Sequence, residues 1–149
     1  MYLASTDLAI LFPDKQGIKD DILFQTVSDQ ANVLQPKGLF IPLSNQQDKL
    51  IEAIANGAVA AIWTQGECLP SYTPNHFPVF FTADLAEAVN KLLLFYLEYV
   101  NGEKNHKMDT TNFIFSNKKL LNKNNETYDI AVMVNKIAEV KARNSERRG

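Results

Sequence analysis

The chain has 149 residues, of which 46% are hydrophobic and 21% are charged, and its formal net charge is −2. This length suffices for one domain with a core of its own, and the composition excludes a fibrous or largely disordered protein. The single cysteine, Cys68, excludes an internal disulfide. No Cys/His cluster surrounds it in the sequence, which argues against a structural zinc and favours a reducing compartment.

Neither a signal peptide nor a membrane span is predicted. The N-terminal stretch MYLASTDLAILF has no positively charged start, contains Asp7 and is followed by Pro-Asp-Lys rather than by a small-residue cleavage site. The longest later uncharged apolar run, residues 92–97, is far shorter than the roughly 20 residues that a membrane helix requires. We therefore expect a cytoplasmic protein.

The first predicted elements are a helix and two strands. Apolar residues recur at helical spacing in residues 5–12, with Ser5 or Thr6 as the N-cap and a proline at the end. Residues 22–28 contain Ile, Val, Thr and Phe and are predicted to form a strand. After a turn with proline and glycine, residues 39–43 form a second, buried strand.

Two helices and two further strands follow. Residues 46–56 have apolar positions with a period near 3.6, and Gly57 stands where a left-handed C-cap residue belongs. Residues 58–63 are uninterruptedly apolar, which is typical of a strand buried on both faces of a parallel sheet. Residues 78–82 form another short strand, and a helix is predicted over residues 84–100.

The C-terminal third is less regular. After the N-terminal helix, the order strand, strand, helix, strand, strand, helix predicts an α/β domain over residues 1–102, a small layered sheet with right-handed crossover helices. Residues 103–149 are interpreted as a polar connector, a short strand at residues 112–116 and a C-terminal amphipathic helix beyond Thr127, packed on the same domain.

Two stretches carry a resemblance to a known family. They are Gly-Leu-Phe-Ile-Pro-Leu at residues 38–43 and Ala-Ile-Ala-Asn-Gly-Ala-Val-Ala-Ala-Ile at residues 53–62. With the spacing between them, they make residues 26–99 similar to the N-terminal domain of the Mur ligases. These ATP-dependent ligases extend UDP-N-acetylmuramoyl peptides in bacterial peptidoglycan synthesis. The resemblance implies a domain of that fold that holds the UDP end of a cell-wall precursor.

The ATP-binding motif of that family is missing. There the N-terminal domain is followed by Gly-Thr-Asn-Gly-Lys-Thr, whose backbone amides and lysine cradle the ATP phosphates. The glycines of this chain, at positions 17, 38, 57, 66, 102 and 149, never form a G-x-x-x-x-G-K arrangement. We therefore expect a non-catalytic domain, without catalytic residues, a cofactor or a metal site.

The nucleotide site also departs from the family pattern. Asp29 matches the first residue of the family's Asp-Ser-Arg motif, whereas Gln30 and Ala31 replace the serine and the arginine. The family's glycine loop after the Leu-Phe strand is here a polar stretch whose amides could hydrogen-bond uracil or ribose. The resemblance thus places a UDP site at Ser28, Asp29, Gln30, Ser44, Asn45, Gln46 and Gln47. An ordinary helix start, with Ser44 or Asn45 as N-cap, is the open alternative for the loop.

Three hypotheses for the function follow. The first is a non-catalytic domain that binds a UDP-N-acetylmuramoyl peptide, another uridine nucleotide or a cell-wall enzyme. The second is an interaction module that has lost the nucleotide and docks a partner or self-associates through the apolar stripe of residues 130–137. The third is a ligase fragment that acts together with an ATP-binding protein. A nucleic-acid partner is not expected, because no aromatic residue or glycine interleaves with the arginines at 143, 147 and 148.

Overall fold

The computed structural model describes residues 2–17, 21–43, 47–74, 76–102, 111–116, 118–121 and 126–146. The helices are α1 (Ser5–Leu11), α2 (Leu50–Ala55), α3 (Leu85–Gly102) and α4 (Ile130–Glu146), with a 3-10 turn at Gln47–Lys49 before α2. The strands are β1 (Leu3–Ala4), β2 (Lys15–Gln16), β3 (Leu23–Phe24), β4 (Thr26–Ser28), β5 (Gly38–Phe40), β6 (Ala58–Thr64), β7 (Val79–Thr82), β8 (Asn112–Ile114), β9 (Lys119–Leu121) and β10 (Thr127–Asp129).

The main sheet has six strands in the order β2-β7-β6-β5-β4-β8. The pairs β7-β6, β6-β5, β5-β4 and β4-β8 are parallel, and β2 is added antiparallel to β7 at one edge. The pairs β1-β3 and β9-β10 form separate two-stranded antiparallel ribbons. The predicted α/β class is therefore confirmed.

Strand β6 lies inside the sheet and is covered on both faces. Its residues alternate between two clusters: Ala60 and Ile62 belong to the large core with α1, α3 and α4, whereas Ala61 and Trp63 belong to a smaller core with α2. All four are at most 1% exposed. This placement explains the uninterrupted apolar run, since a strand between two helical layers has no face for polar side chains.

Gly57 has the structural role that its position predicts. Its backbone φ is +117°, and its N–H donates to the carbonyl oxygen of Ile54 at the end of α2. A Cβ atom at this position would lie 2.7 Å from the carbonyl oxygen of Gln35. Glycine is needed here both for the left-handed backbone and for the close approach of a neighbouring loop.

The predicted N-cap of α1 is wrong. The helix begins at Ser5, and the N-cap position belongs to Ala4, whose N–H donates to the Asp7 carboxylate at 3.0 Å. The Ser5 hydroxyl instead accepts the N–H of Ile22 at 2.9 Å and donates to Asp21 at 2.9 Å. Ser5 therefore ties α1 to the segment before β3.

The strand predicted over residues 22–28 is two strands. Strand β3 pairs with β1 in a ribbon, and β4 belongs to the main sheet. Gln25 lies between them, and its N–H donates to the carbonyl oxygen of Lys37 beside β5. Side-chain periodicity cannot reveal such a division, because it depends on which distant strand each residue pairs with.

Thr111 joins the beginning of β8 to three other elements. Its hydroxyl accepts the N–H of Leu3 at 2.8 Å and donates to the carbonyl oxygen of Phe24 at 2.7 Å. Its N–H donates to the phenol oxygen of Tyr96 in α3 at 3.0 Å. Burial raises the pKa of the Tyr96 phenol, and its hydrogen bonding with Thr111 lowers it by less.

Helix α4 packs against α3, and Ile130 and Ile137 join the large core at 0% and 6% exposure. Among the described residues, no helix has the length and apolar character to cross a membrane.

Candidate functional site

The candidate site lies where the order in which strands are added to the main sheet reverses. From β4 the chain adds β5, β6 and β7 on one side, and after α3 it places β8 on the other side of β4. The carboxyl ends of β4 and β8 therefore lie side by side at the point where the strand order reverses. Open parallel sheets bind ligands in the crevice outside the strands at such a point.

Ser28, Asp29 and Gln30 follow each other at the carboxyl end of β4. Ser28 is fully buried, and its hydroxyl accepts the N–H of Gln30 at 3.0 Å and contacts the Gln30 carbonyl oxygen at 3.2 Å. Asp29 is 1% exposed, whereas Gln30 is half-buried. The structure therefore brings these predicted residues together, and Gln30 is the one whose side chain a ligand can reach.

The Asp29 carboxylate links β4 to β8. One oxygen accepts the N–H of Ser116 at 3.0 Å, and the other accepts the Ser116 hydroxyl at 3.1 Å. The Asp29 N–H also donates to the carbonyl oxygen of Ile114 at 3.4 Å. A carboxylate that receives two such bonds is well satisfied although it is buried, so a first role of Asp29 is to hold the end of β8.

Gln35 supports the same corner from inside. Its side chain is fully buried, and its Nε2 donates to the carbonyl oxygens of Gln30 at 2.7 Å and Val33 at 3.3 Å. Its Oε1 has no hydrogen-bond partner in the described part of the chain. Gln35 thus fixes the backbone of Gln30 and leaves one buried acceptor unsatisfied.

The second half of the predicted site is only partly covered. Ser44, Asn45 and Gln46 lie outside the described residues, and so does the side chain of Gln47, whose backbone begins the 3-10 turn. The predictions for these positions, including the alternative of an ordinary N-cap, stay predictions.

Ser116, like Gln35, is a residue at this corner that the sequence did not indicate. It is exposed, and its hydroxyl receives a hydrogen bond from Nε2 of Gln30. The predicted strand at residues 112–116 was the available signal, because a parallel strand beside β4 carries its carboxyl end to the same edge of the sheet. Sequence patterns do not show that this strand pairs with β4, because the two strands are far apart in the chain. Gln30 and Ser116, for example, are separated by 86 positions.

A separate cleft of about 220 Å³ lies between the carboxyl ends of β6 and β7 and the start of α3. Its polar groups serve the fold: Gln65 donates to Asp14 at 3.2 Å, Asp84 accepts the N–H of Ala86 at 2.9 Å, and Lys91 donates to the carbonyl oxygen of Leu11 at 3.0 Å. Most polar side chains of this cleft are thus engaged within the fold, and Glu87 is exposed beside them.

The chemistry offered at the carboxyl edge is hydrogen bonding. The described residues contain no group of three or more His, Cys, Asp or Glu side chains that could hold a metal ion. Cys68 and His76 are both exposed in the segment between β6 and β7. No protein-family model matches the chain, and a search of curated proteins gives no match either.

Proposed function

We propose that this chain is a non-catalytic ligand-binding domain whose site lies at the carboxyl ends of β4 and β8. The ligand class is a uridine nucleotide, of which a UDP-linked peptidoglycan precursor is the example that the resemblance to the Mur ligases implies. The observation that carries the proposal is the position of Gln30, an accessible amide next to the residue that matches the family's aspartate, at the point where the sheet changes direction.

The local contacts suit binding better than catalysis. Gln30 is fixed through its backbone by Ser28 and Gln35, and its side chain is held by Ser116. An amide in a fixed position can recognise the edge of a base or a sugar without loss of its own conformational freedom on binding. Amides and hydroxyls that are already oriented provide specificity, and the carboxylate beside them, that of Asp29, is buried.

The experiment is a titration of the full chain with UDP and with a UDP-N-acetylmuramoyl peptide, followed by calorimetry and thermal unfolding. At about 100 times its dissociation constant, a ligand should raise the free energy of unfolding by about 2.7 kcal/mol. For a domain of this size, that corresponds to a rise of several degrees in Tm. ADP at the same concentration is the control for binding through the diphosphate alone.

Two variants locate the site. Gln30→Ala should weaken UDP binding, because it removes the accessible amide at the end of β4. Gln65→Ala is the matched control, since Gln65 is an exposed amide at the carboxyl end of β6 in the same sheet. Equal affinity of the two variants for UDP would place the site elsewhere, and no UDP binding by the folded wild-type chain would refute the proposed function.

The second candidate function is an interaction module. It is favoured by the engagement of Ser28 and Asp29 within the chain and by exposed apolar residues of the C-terminal part, where Leu121 is 62% and Val132 45% exposed. The apolar stripe of residues 130–137, predicted for docking, has Ile130 and Ile137 buried in the large core. A dimer mass in solution together with no response to any uridine nucleotide would favour this candidate over the first.

A further inference from the structure

We propose that Ser116 and Gln30 together form a ribose-recognising pair that selects a ligand with adjacent hydroxyl groups. This inference rests on the proposed uridine nucleotide site and adds a residue from outside the segment that resembles the Mur ligases. Ser116 follows β8, whereas that resemblance ends near residue 99. The two side chains are joined by the hydrogen bond from Nε2 of Gln30 to the Ser116 hydroxyl.

The proton positions in this pair follow from Asp29. An ionised carboxylate only accepts hydrogen bonds, so the Ser116 hydroxyl must use its single proton to donate to Asp29, at 3.1 Å. The Ser116 oxygen is then an acceptor toward Gln30, which must present its NH₂ group and not its carbonyl oxygen. The amide orientation of Gln30 is thereby determined by a carboxylate that it does not contact through its own side chain.

The assignment of donors and acceptors also shows which hydrogen-bonding groups of the pair remain for a ligand. The Ser116 oxygen has two lone pairs, of which Nε2 of Gln30 takes one, and the other branch of the Gln30 amide is the acceptor Oε1. The pair therefore offers two acceptors and one remaining donor, the second N–H of Gln30 Nε2, so that acceptors predominate. The negative charge of Asp29 directly behind Ser116 adds to this preference, because it favours hydrogen-bond donors and repels phosphate oxygens.

Adjacent hydroxyl groups of a ribose match this arrangement, since each can donate one hydrogen bond to one acceptor. The phosphates of the same nucleotide would have to lie away from Asp29. The acceptors are also held in place, because Ser116 is fixed through both its N–H and its hydroxyl and Gln30 through its backbone. Preorganised groups of this kind lose little freedom when a ligand binds.

The test compares UDP with its dideoxyribose analogue, which lacks both ribose hydroxyls, by calorimetric titration of the full chain. Wild-type protein should bind UDP at least about tenfold more tightly than the analogue, the effect of one to two hydrogen bonds. In Ser116→Ala this ratio should fall to about twofold or less, whereas Ser116→Thr, which keeps a hydroxyl, should preserve it. Ser71→Ala, at another exposed serine, is the matched control.

The outcomes separate this inference from the proposed function. If wild-type protein binds UDP and its analogue equally, or if Ser116→Ala keeps the wild-type ratio, the site binds uridine nucleotides without the proposed pair. If folded wild-type protein does not bind UDP at all, the uridine nucleotide function is refuted and the pair with it. Thermal unfolding of each variant shows that the compared proteins are folded.

Discussion

The backbone carbonyl oxygen of Gln35 lies 2.7 Å from the point where a Cβ atom at Gly57 would stand. Gly57→Ala must therefore move this carbonyl or distort the turn after α2, in addition to placing alanine at a φ of +117°. We expect a loss of about 3 kcal/mol in the free energy of unfolding, measured by urea titration.

The control for this prediction is Gly66→Ala. Gly66 also has a positive φ, +85°, but a Cβ atom there would meet nothing within 4 Å. Its substitution should cost about 1 kcal/mol from the backbone alone. Equal losses for the two variants would show that the approach of Gln35 to Gly57 adds nothing to the need for glycine.

Tyr96→Phe should destabilise the protein by about 1–3 kcal/mol. The phenol oxygen accepts the N–H of Thr111 at 3.0 Å in a buried position, and phenylalanine would leave that donor without a partner. The ring itself would stay, with its edge-to-face contact to Phe113 at a centroid distance of 5.2 Å. Tyr99→Phe, at an exposed position of the same helix, should change stability by less than about 0.5 kcal/mol.

The stability of the wild-type protein should also fall at high pH in a way that Tyr96→Phe does not share. Burial raises the pKa of the Tyr96 phenol in the folded state, whereas in the unfolded chain a tyrosine ionises near its ordinary value of about 10. The unfolded state therefore loses its proton first. The contribution of Tyr96 to the free energy of unfolding is complete below about pH 10. It is lost as the pH rises toward the raised pKa of the folded state. Urea titrations at about pH 8 and about pH 10.5 check the sign.

Asp29→Ala should loosen β8 from β4. The substitution removes the acceptor for both the N–H and the hydroxyl of Ser116, and hydrogen bonds to a charged group contribute about 1.5–3 kcal/mol. Amide hydrogen exchange should accelerate more at residues 112–116 than in β6. Asp14→Ala, which removes an exposed carboxylate with one amide partner, is the control, and the idea fails if both variants give the same exchange pattern.

Gln35→Glu should be strongly destabilising near neutral pH and should recover on acidification. An ionised glutamate would lose the donor to the Gln30 carbonyl oxygen, now at 2.7 Å, and would bury a charge. Only the protonated carboxyl can donate. The free energy of unfolding of Gln35→Glu should therefore lie further below that of Gln35→Met at about pH 7 than at about pH 5. Gln35→Met has the same length without a charge, and a deficit that is independent of pH would contradict the prediction.

Ile137→Ala tests whether α4 is part of the core. Ile137 is 6% exposed in the large cluster, and its truncation should cost about 2–4 kcal/mol. Val132→Ala, on the exposed side of the same helix, should cost less than about 0.5 kcal/mol. If the helix instead docks a second copy, Ile137→Ala would reduce the fraction of dimer in solution and leave the unfolding of the monomer unchanged.

The fold was most predictable where local pattern and burial agree. The apolar run of β6, the glycine after α2 and the start of α3 directly after Asp84 all follow from neighbouring residues. Asp84 confirms the last of these, since its side chain accepts the N–H of Ala86 at 2.9 Å. In each case the sequence signal, an apolar run, a glycine after a helix or an aspartate before one, is contained in a few neighbouring residues.

The predictions that failed or were incomplete depend on distant partners. Ser5 has the chemistry of an N-cap, but its hydroxyl bonds to residues 16 and 17 positions away. The site shows the same limit. Asp29 and Gln30 could be selected from the sequence, but the contact with Ser116 requires the pairing of β4 with β8. Which of the polar residues stays accessible is decided by that pairing and not by residue type.

The position of Thr111 sets the order in which this domain can be completed during synthesis. Its side chain joins residues 108 and 87 positions earlier in the chain, and its N–H meets α3. Until residue 111 leaves the ribosome, the N–H of Leu3 and the carbonyl oxygen of Phe24 lack this buried partner. The N-terminal ribbon therefore gains these two buried hydrogen bonds only after residue 111 has been synthesised, although the ribbon itself is synthesised first.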